Sequence, residues 1–185
     1  MPKHKAGLNP LICIAMLTLF PWLTACADDA RPPKPPLFVL FEAQKAGSMF
    51  TTKLKVVEHR RYMFTLMLGA KKGETIEEAR RINELAGSDA RYKDGTPVSY
   101  GIPIPLKLKV SVIEPSGERI IYDKDVHEME KIGATMFGFE KLIDYIELKP
   151  GLYRIDIQSL NDIPELAESP ITFGIFGRPN STPID

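Results

Sequence analysis

Residues 148–157 read Leu-Lys-Pro-Gly-Leu-Tyr-Arg-Ile-Asp-Ile and decide the fold class. Pro150 and Gly151 form a turn signal, after which Tyr153, Ile155 and Ile157 alternate with charged residues. A period of two after a Pro-Gly turn is typical of a strand with one buried and one solvated face. The segment therefore predicts a strand at the end of a tight turn, as in an antiparallel sheet.

The same segment is similar to a tyrosine corner, in which a phenol near a strand start bonds back to the upstream backbone of a sandwich. This similarity gives Pro150, Gly151 and Tyr153 structural roles. An ordinary hairpin turn followed by a core tyrosine is the alternative, because Pro-Gly turns are common.

Alternating apolar residues recur on both sides of this segment. We expect residues 50–56 and 62–68 to pair as a hairpin, and residues 123–138, which are polar or contain glycine, to form a connection. The predicted strands are 37–41, 50–56, 62–68, 106–112, 119–122, 142–148, 153–157 and 171–175.

One segment has a helical period instead. Apolar residues recur every three to four positions between Thr75 and Gly87, and Thr75 with Glu78 forms a capping box. Seven or eight strands and one helix predict a mainly β chain: an antiparallel immunoglobulin-like β-sandwich with one short inserted helix, over residues 37–185.

The first 25 residues have the features of a secretory signal peptide. A short positive start is followed by the apolar run Leu11–Leu23 and by small residues before Cys26. A membrane-spanning helix needs about 20 apolar residues, so this run is too short for a permanent span. We therefore expect the chain to be exported.

Leu23-Thr24-Ala25-Cys26 resembles the lipobox of bacterial lipoproteins. The resemblance implies cleavage before Cys26, acylation of its thiol and, because Ala27 rather than Asp follows, delivery to the outer membrane. Cys13 lies in the removed segment, which leaves Cys26 without an intramolecular disulfide partner. Residues 26–36 contain four prolines and predict an extended, lipidated tether. A plain secreted protein is the alternative.

Composition and motifs exclude several kinds of function. The chain has 24 basic and 24 acidic residues, and a nucleic-acid partner is not expected without a basic stripe. Asp123, Asp125 and His127 alternate and form a weak candidate for a divalent metal site, although a polar loop is the preferred explanation of the same composition. The sequence lacks a zinc-protease helix and a nucleophile elbow, and we expect no cofactor. His59 lies in a charged turn and is not expected to be catalytic.

Several segments together look like an uncharacterised proteobacterial lipoprotein family, classed as a domain of unknown function. They are the lipobox, Arg61–Phe64, Gly101–Leu106, Leu148–Tyr153 and Asp162–Leu166. The resemblance implies a β-sandwich and an envelope location, and it transfers no catalytic residue.

The function expected from the sequence is that of a non-enzymatic binding module, held by lipid at the outer membrane and facing the periplasm. Its partner is expected to be an envelope protein, a secreted effector or a small ligand. Three alternatives remain open. They are an immunity-type lipoprotein that neutralises a toxic effector, a weak metal-dependent hydrolase using Asp123, Asp125 and His127, and a structural envelope spacer.

Overall fold

Nine strands and one α-helix make up the described part of the computed structural model, residues 31–69, 75–135 and 138–177. All strand pairs are antiparallel, which confirms the predicted mainly β fold. The elements are β1 (Leu37–Leu40), β2 (Met49–Val56), β3 (Arg60–Leu68), α1 (Ile76–Ala86), β4 (Leu106–Glu114), β5 (Gly117–Val126), β6 (Glu130–Thr135), β7 (Gly138–Leu148), β8 (Gly151–Ser159) and β9 (Ile171–Gly177).

The strands form two sheets around one apolar core. One sheet has five strands in the order β1-β9-β3-β7-β6, and the other has four in the order β2-β8-β4-β5. Buried side chains from both sheets form one cluster, in which the rings of Phe50 and Phe173 lie 6.3 Å apart. Two sheets that bury their inner faces against each other form a β-sandwich, as the sequence predicts.

The predicted hairpin between residues 50–56 and 62–68 is wrong. Strand β2 pairs with β8, whereas β3 lies in the other sheet between β7 and β9. The short link from Val57 to His59 therefore crosses from one sheet to the other. Alternation shows which side chains of a strand are buried, but it does not choose between two possible neighbouring strands.

The predicted connection over residues 123–138 is also wrong. Strand β5 continues to Val126, and Glu130–Thr135 forms β6. Both strands lie at sheet edges, where polar and charged side chains are common because one side of the strand faces water. Their composition therefore resembles that of a loop.

The predicted helix is confirmed as α1. The hydroxyl of Thr75 accepts a hydrogen bond from the Glu78 backbone N–H at 3.2 Å, and Ile82 and Ala86 are fully buried. Gly87 ends the helix at φ 96°, a conformation that glycine adopts more readily than other residues. Among the residues that the structure describes, no helix has the length and apolar character needed to cross a membrane.

One tyrosine in each sheet bonds back to the residue four positions earlier. The Tyr153 hydroxyl donates to the carbonyl of Lys149 at 2.8 Å, as in a tyrosine corner. The Tyr62 hydroxyl donates in the same way to the carbonyl of Glu58 at 3.1 Å. Each tyrosine is the third residue of its strand and is almost completely buried. The two bonds fix the residues just before β3 and β8 at the same end of the sandwich.

The end of the proline-rich segment lies against β2. The chain divides into a unit from Met1 to Arg31 and a second unit that begins at Pro32. Within the second unit, the Pro33 carbonyl accepts a hydrogen bond from the Lys55 N–H at 2.8 Å. Pro33 is therefore fixed beside the last residues of β2.

Candidate functional site

The outer face of the five-stranded sheet is unusually apolar, and we call it the apolar face. Its outward side chains include Phe38 and Leu40 of β1, which are 53% and 76% exposed. Met63 on β3 points to the same face, and it is buried although it does not belong to the core cluster. An exposed aromatic and leucine pair beside buried outer-face residues marks a surface that differs from ordinary solvated sheet.

A groove of about 680 Å³ runs across this face. The rings of Phe38 and Phe176 form one wall, with centroids 5.8 Å apart. The volume lies within the range typical of small-molecule sites, which are mostly apolar with a few polar groups. The lining residues come from five strands and are Phe38, Leu40, Met67, Thr135, Glu140, Thr172 and Phe176.

A glycine allows Phe38 to lie across β9. Gly174 is paired with Phe38, and a Cβ atom at Gly174 would lie 2.8 Å from the Thr65 hydroxyl and 3.1 Å from the Phe38 ring. Real Cβ atoms rarely approach so closely, so a side chain at this position would push Phe38 or Thr65 aside. The shape of the groove wall therefore depends on the missing side chain.

Glu140 places one carboxyl group in the groove. Burial raises the pKa of this carboxyl, and a hydrogen bond with the Thr65 side chain partly opposes the rise. A carboxyl with a raised pKa holds its proton more readily and can then donate a hydrogen bond. The groove thus combines apolar walls with one group that can orient a polar ligand atom.

Two lysines are buried on the inner face, under α1, where sequence reasoning did not predict them. The Lys141 amine donates to the backbone carbonyls of Ala86 and Tyr100, and the Lys131 amine donates to Asn83 at 2.6 Å. Burial, with a smaller effect of the nearby Lys131 charge, lowers the pKa of Lys141 to about 8. Because Lys141 is fully buried and bonded to the helix end, it holds α1 in place and is not open to a ligand.

The loop after α1 approaches that helix end very closely. Gly101 has φ 69°, and a Cβ atom there would lie 2.3 Å from the Leu85 carbonyl oxygen. Only glycine fits this contact. The contact brings Tyr100 close enough for its carbonyl to share the Lys141 amine with Ala86.

The candidate metal residues do not form a cluster of ligands. Asp123 and Asp125 lie on the outward side of β5, and the Lys107 amine is 3.2 and 3.9 Å from their carboxylates. His127 is exposed beyond the strand end. No group of three or more potential metal ligands was found among the described residues. The structure therefore gives the hydrolase hypothesis no assembled site within those ranges.

The other residues singled out in the sequence lie elsewhere. Cys26 is outside the described residues, so its acylation stays a prediction. His59 lies in the link between β2 and β3, with its Nε2 2.9 Å from the Glu147 carboxylate.

The groove is the feature that sequence reasoning missed. A signal for it was present in Tyr62–Leu68, where apolar residues occupy almost every position of β3. Such a run indicates a strand that is covered on both faces, whereas a half-solvated strand alternates. Glu140 offered no comparable signal, because a single acid in a strand usually faces water.

The chain matches a known family over most of its length. The model described as Domain of unknown function (DUF5625) matches residues 36–176, from the last proline of the tether almost to the end of β9. The chain belongs to this family. Membership of the DUF5625 family confirms the expected domain of unknown function, while the lipoprotein part of the resemblance stays a prediction.

One solved structure supports the fold of this DUF5625 domain. A crystal structure of a protein from Sulfurospirillum deleyianum superposes on the chain with a TM-score of 0.65 and 19% sequence identity. The superposition covers 78% of this chain and 98% of that one. At such low identity the similarity concerns the fold alone. No curated protein matched the chain.

Proposed function

We propose that this protein is a lipid-anchored, non-enzymatic binding module of the bacterial cell envelope, and that its ligand site is the groove on the apolar face. The observation that carries the proposal is the groove itself. It combines exposed aromatic and aliphatic walls, a volume of about 680 Å³ and one partly buried carboxyl group. This combination is that of a binding site for a small apolar molecule.

The shape and chemistry of the groove suggest the ligand class. Its walls span five neighbouring strands, so an elongated molecule fits better than a compact one. Phe38, Leu40 and Phe176 would bury apolar surface of the ligand, at about 25 cal/mol per Å². Glu140 would hydrogen-bond a single polar atom. The proposed ligand is therefore an elongated apolar molecule with one polar group.

The proposed location depends on Cys26. Acylation there would add stable membrane affinity, because two or more acyl chains bind far more strongly than one. Replacement of Cys26 by serine should therefore release the protein from the membrane into the soluble fraction. Detergent-dependent membrane association of the Cys26→Ser variant, measured by cell fractionation, would reject the lipid anchor.

The groove can be tested with an uncharged fluorescent probe, N-phenyl-1-naphthylamine, titrated into the processed protein. Leu40→Lys places a charge in the groove and should weaken probe binding by about tenfold or more, the equivalent of one lost leucine contact. Ile120→Lys is a matched control, since Ile120 is an exposed apolar residue of the other sheet. Equal probe affinities in both variants and the wild type would contradict the proposal.

A photo-crosslinker at Leu40 then separates the remaining alternatives in living cells. A small ligand in the groove should lower the yield of crosslinked products from a crosslinker in place of Leu40. The yield from a crosslinker in place of Ile120 should stay unchanged. A stoichiometric secreted effector at Leu40 would instead favour an immunity-type role. A spacer would give neither probe binding nor a stoichiometric partner.

A further inference from the structure

The position of the tether on the sandwich defines one end of the molecule. We call this the tether end, formed by Pro32–Pro36, Lys55–Arg61 and Glu147–Gly151. Pairing of Val56 with Gly151 and of Arg60 with Leu148 brings the last two segments to the same edge. The hydrogen bond from the Lys55 N–H to the Pro33 carbonyl fixes the proline segment there.

The tether end carries an excess of positive charge. Its three segments contain five lysines and arginines and two glutamates. Arg60 pairs with Glu58 at 2.7 Å, and His59 lies 2.9 Å from Glu147. Among the described residues, no ion pair joins Lys55, Arg61 or Lys149, so their charges are available to an outside partner.

The opposite end has the opposite charge. We call it the far end, formed by residues 42–48 and 160–169, which contain four acidic residues and one lysine. The two segments meet where the Ala46 N–H donates to Asp162 at 2.9 Å. The named segments at the tether end and at the far end therefore carry net charges of opposite sign, and such a distribution helps to orient a protein in an electric field.

Apolar tips accompany the charges at the tether end. Val57, at the turn between the two sheets, is 50% exposed, and Pro150 is exposed beside it. Exposed apolar tips surrounded by lysine and arginine are typical of surfaces that rest on an anionic bilayer.

The covalent length of the tether makes such a contact possible. Seven residue steps separate Cys26 from Pro33, which corresponds to at most about 25 Å of fully extended chain. A lipid at Cys26 would thus keep the tether end within a short distance of the bilayer. The strands of the sandwich are up to 11 residues long, so the far end would lie roughly 30 Å further away when the domain stands upright.

From these observations we infer that the tether end is a docking surface for an anionic phospholipid bilayer, which holds the domain upright with its far end away from the membrane. This inference rests on the proposed lipid anchor. Lys55, Arg61 and Lys149 contact headgroup phosphates, and Val57 enters the interface. In this orientation the groove on the apolar face remains accessible from the side.

The test uses the processed, acylated protein reconstituted in vesicles with a lipid-borne quencher. The processed chain has no cysteine besides Cys26, so a polarity-sensitive fluorophore can be attached at Val57→Cys or, as a control, at Asn161→Cys in the far end. In vesicles containing phosphatidylglycerol, the probe at position 57 should shift to the blue and be quenched several times more strongly than the probe at position 161. Pure phosphatidylcholine should reduce this difference, and 0.5 M salt should reduce it in the anionic vesicles.

Charge reversal gives the second arm of the experiment. The Lys55→Glu, Arg61→Glu and Lys149→Glu triple variant should lose the preferential quenching at position 57, whereas reversal of Lys45 and Lys93 elsewhere on the surface should not. If the protein floats with anionic vesicles but the probes at positions 57 and 161 are quenched equally, the inference is overturned. Failure to float with phosphatidylcholine vesicles would instead reject the lipid anchor itself, and with it this inference.

Discussion

On the outer face of the four-stranded sheet, which we call the charged face, Lys107 lies between Asp123 and Asp125, and Thr51 donates to Asp156 at 2.7 Å. On the apolar face of the other sheet, the corresponding positions carry methionine, leucine and phenylalanine. The two sheets share one core and the same antiparallel geometry. Since both sheets form the same core, the difference between their outer faces is not needed to form the sandwich.

The largest expected effect comes from placing a charged residue on the apolar face, compared with placing an apolar residue on the charged face. Met63→Lys would bury an unpaired charge on the apolar face and should lower the free energy of unfolding by about 3 kcal/mol. Lys53→Met on the charged face replaces an exposed side chain and should change it by less than about 0.5 kcal/mol. Urea unfolding of both variants measures the contrast. Two equally small losses would show that Met63 is solvated in the folded protein.

The glycine under the groove wall gives the next largest effect. Gly174→Ala adds a methyl group 2.8 Å from the Thr65 hydroxyl and should destabilise the protein by about 1–3 kcal/mol, as overpacking usually does. Gly133→Ala in the same sheet has open space around the new methyl group and should be tolerated. If both variants unfold at the same urea concentration, Phe38 does not lie against β9 in solution.

The two buried tyrosines test whether the sheets are alike in their interior bonding. Tyr62→Phe removes one hydrogen bond and should cost about 1 kcal/mol. Tyr153→Phe removes two, because the Tyr153 hydroxyl also accepts from the Lys149 N–H at 3.2 Å, and it should cost at least as much. Thermal or urea unfolding gives both values. A loss for Tyr153→Phe without one for Tyr62→Phe would limit the corner to one sheet.

A pH-dependent difference is expected for Glu140 on the apolar face. Because burial raises the pKa of Glu140 in the folded state, the unfolded chain releases this proton at lower pH than the folded protein. The group's contribution to stability is therefore fully present below its ordinary pKa and is lost as the pH rises through the raised value. Glu140→Gln should match the wild type near pH 4 and exceed it in stability at pH 7.5.

Urea unfolding at the two pH values measures this difference, and Glu128→Gln, an exposed acid in the link before β6, is the control. A pH-independent effect of Glu140→Gln would mean that the carboxyl is solvated.

The smallest effect belongs to the ion pairs of the charged face. Lys107→Ala removes two exposed contacts and should cost less than about 1 kcal/mol at low salt. The cost should shrink further in 0.5 M salt, because mobile ions screen exposed charges. A loss of several kcal/mol in the free energy of unfolding would indicate that the ion pairs with Asp123 and Asp125 are more than exposed surface contacts.

These contrasts also show what the sequence could predict. Alternation of lysines with apolar residues in β2 and β4 predicted both strands and their solvated side correctly. The capping box predicted α1, because a helix start depends on neighbouring residues only. Local patterns of this kind are complete within a few residues and can therefore be recognised without knowledge of the fold.

Features that depend on distant residues were not predictable in the same way. The partner of β2 is β8, almost a hundred residues later, and no local pattern distinguishes it from β3. The groove combines side chains from five strands, and the amine of Lys141 finds its acceptors only once α1 has docked. Edge strands β5 and β6 were missed or shortened because their polar side chains resemble those of loops.

The buried amine under α1 links the seating of this helix to protons in the surrounding water. When α1 lifts away, Lys141 returns to solvent, where a lysine keeps its proton to an ordinary pKa of 10.5, against about 8 when the helix is seated. Between these two values the open form takes up a proton that the closed form lacks, so closure becomes more favourable as the pH rises. At neutral pH the docked helix covers the charged Lys141 amine. Transient local opening of α1 would restore the hydration of that amine. Any local opening of α1 would thus depend on pH through the Lys141 amine.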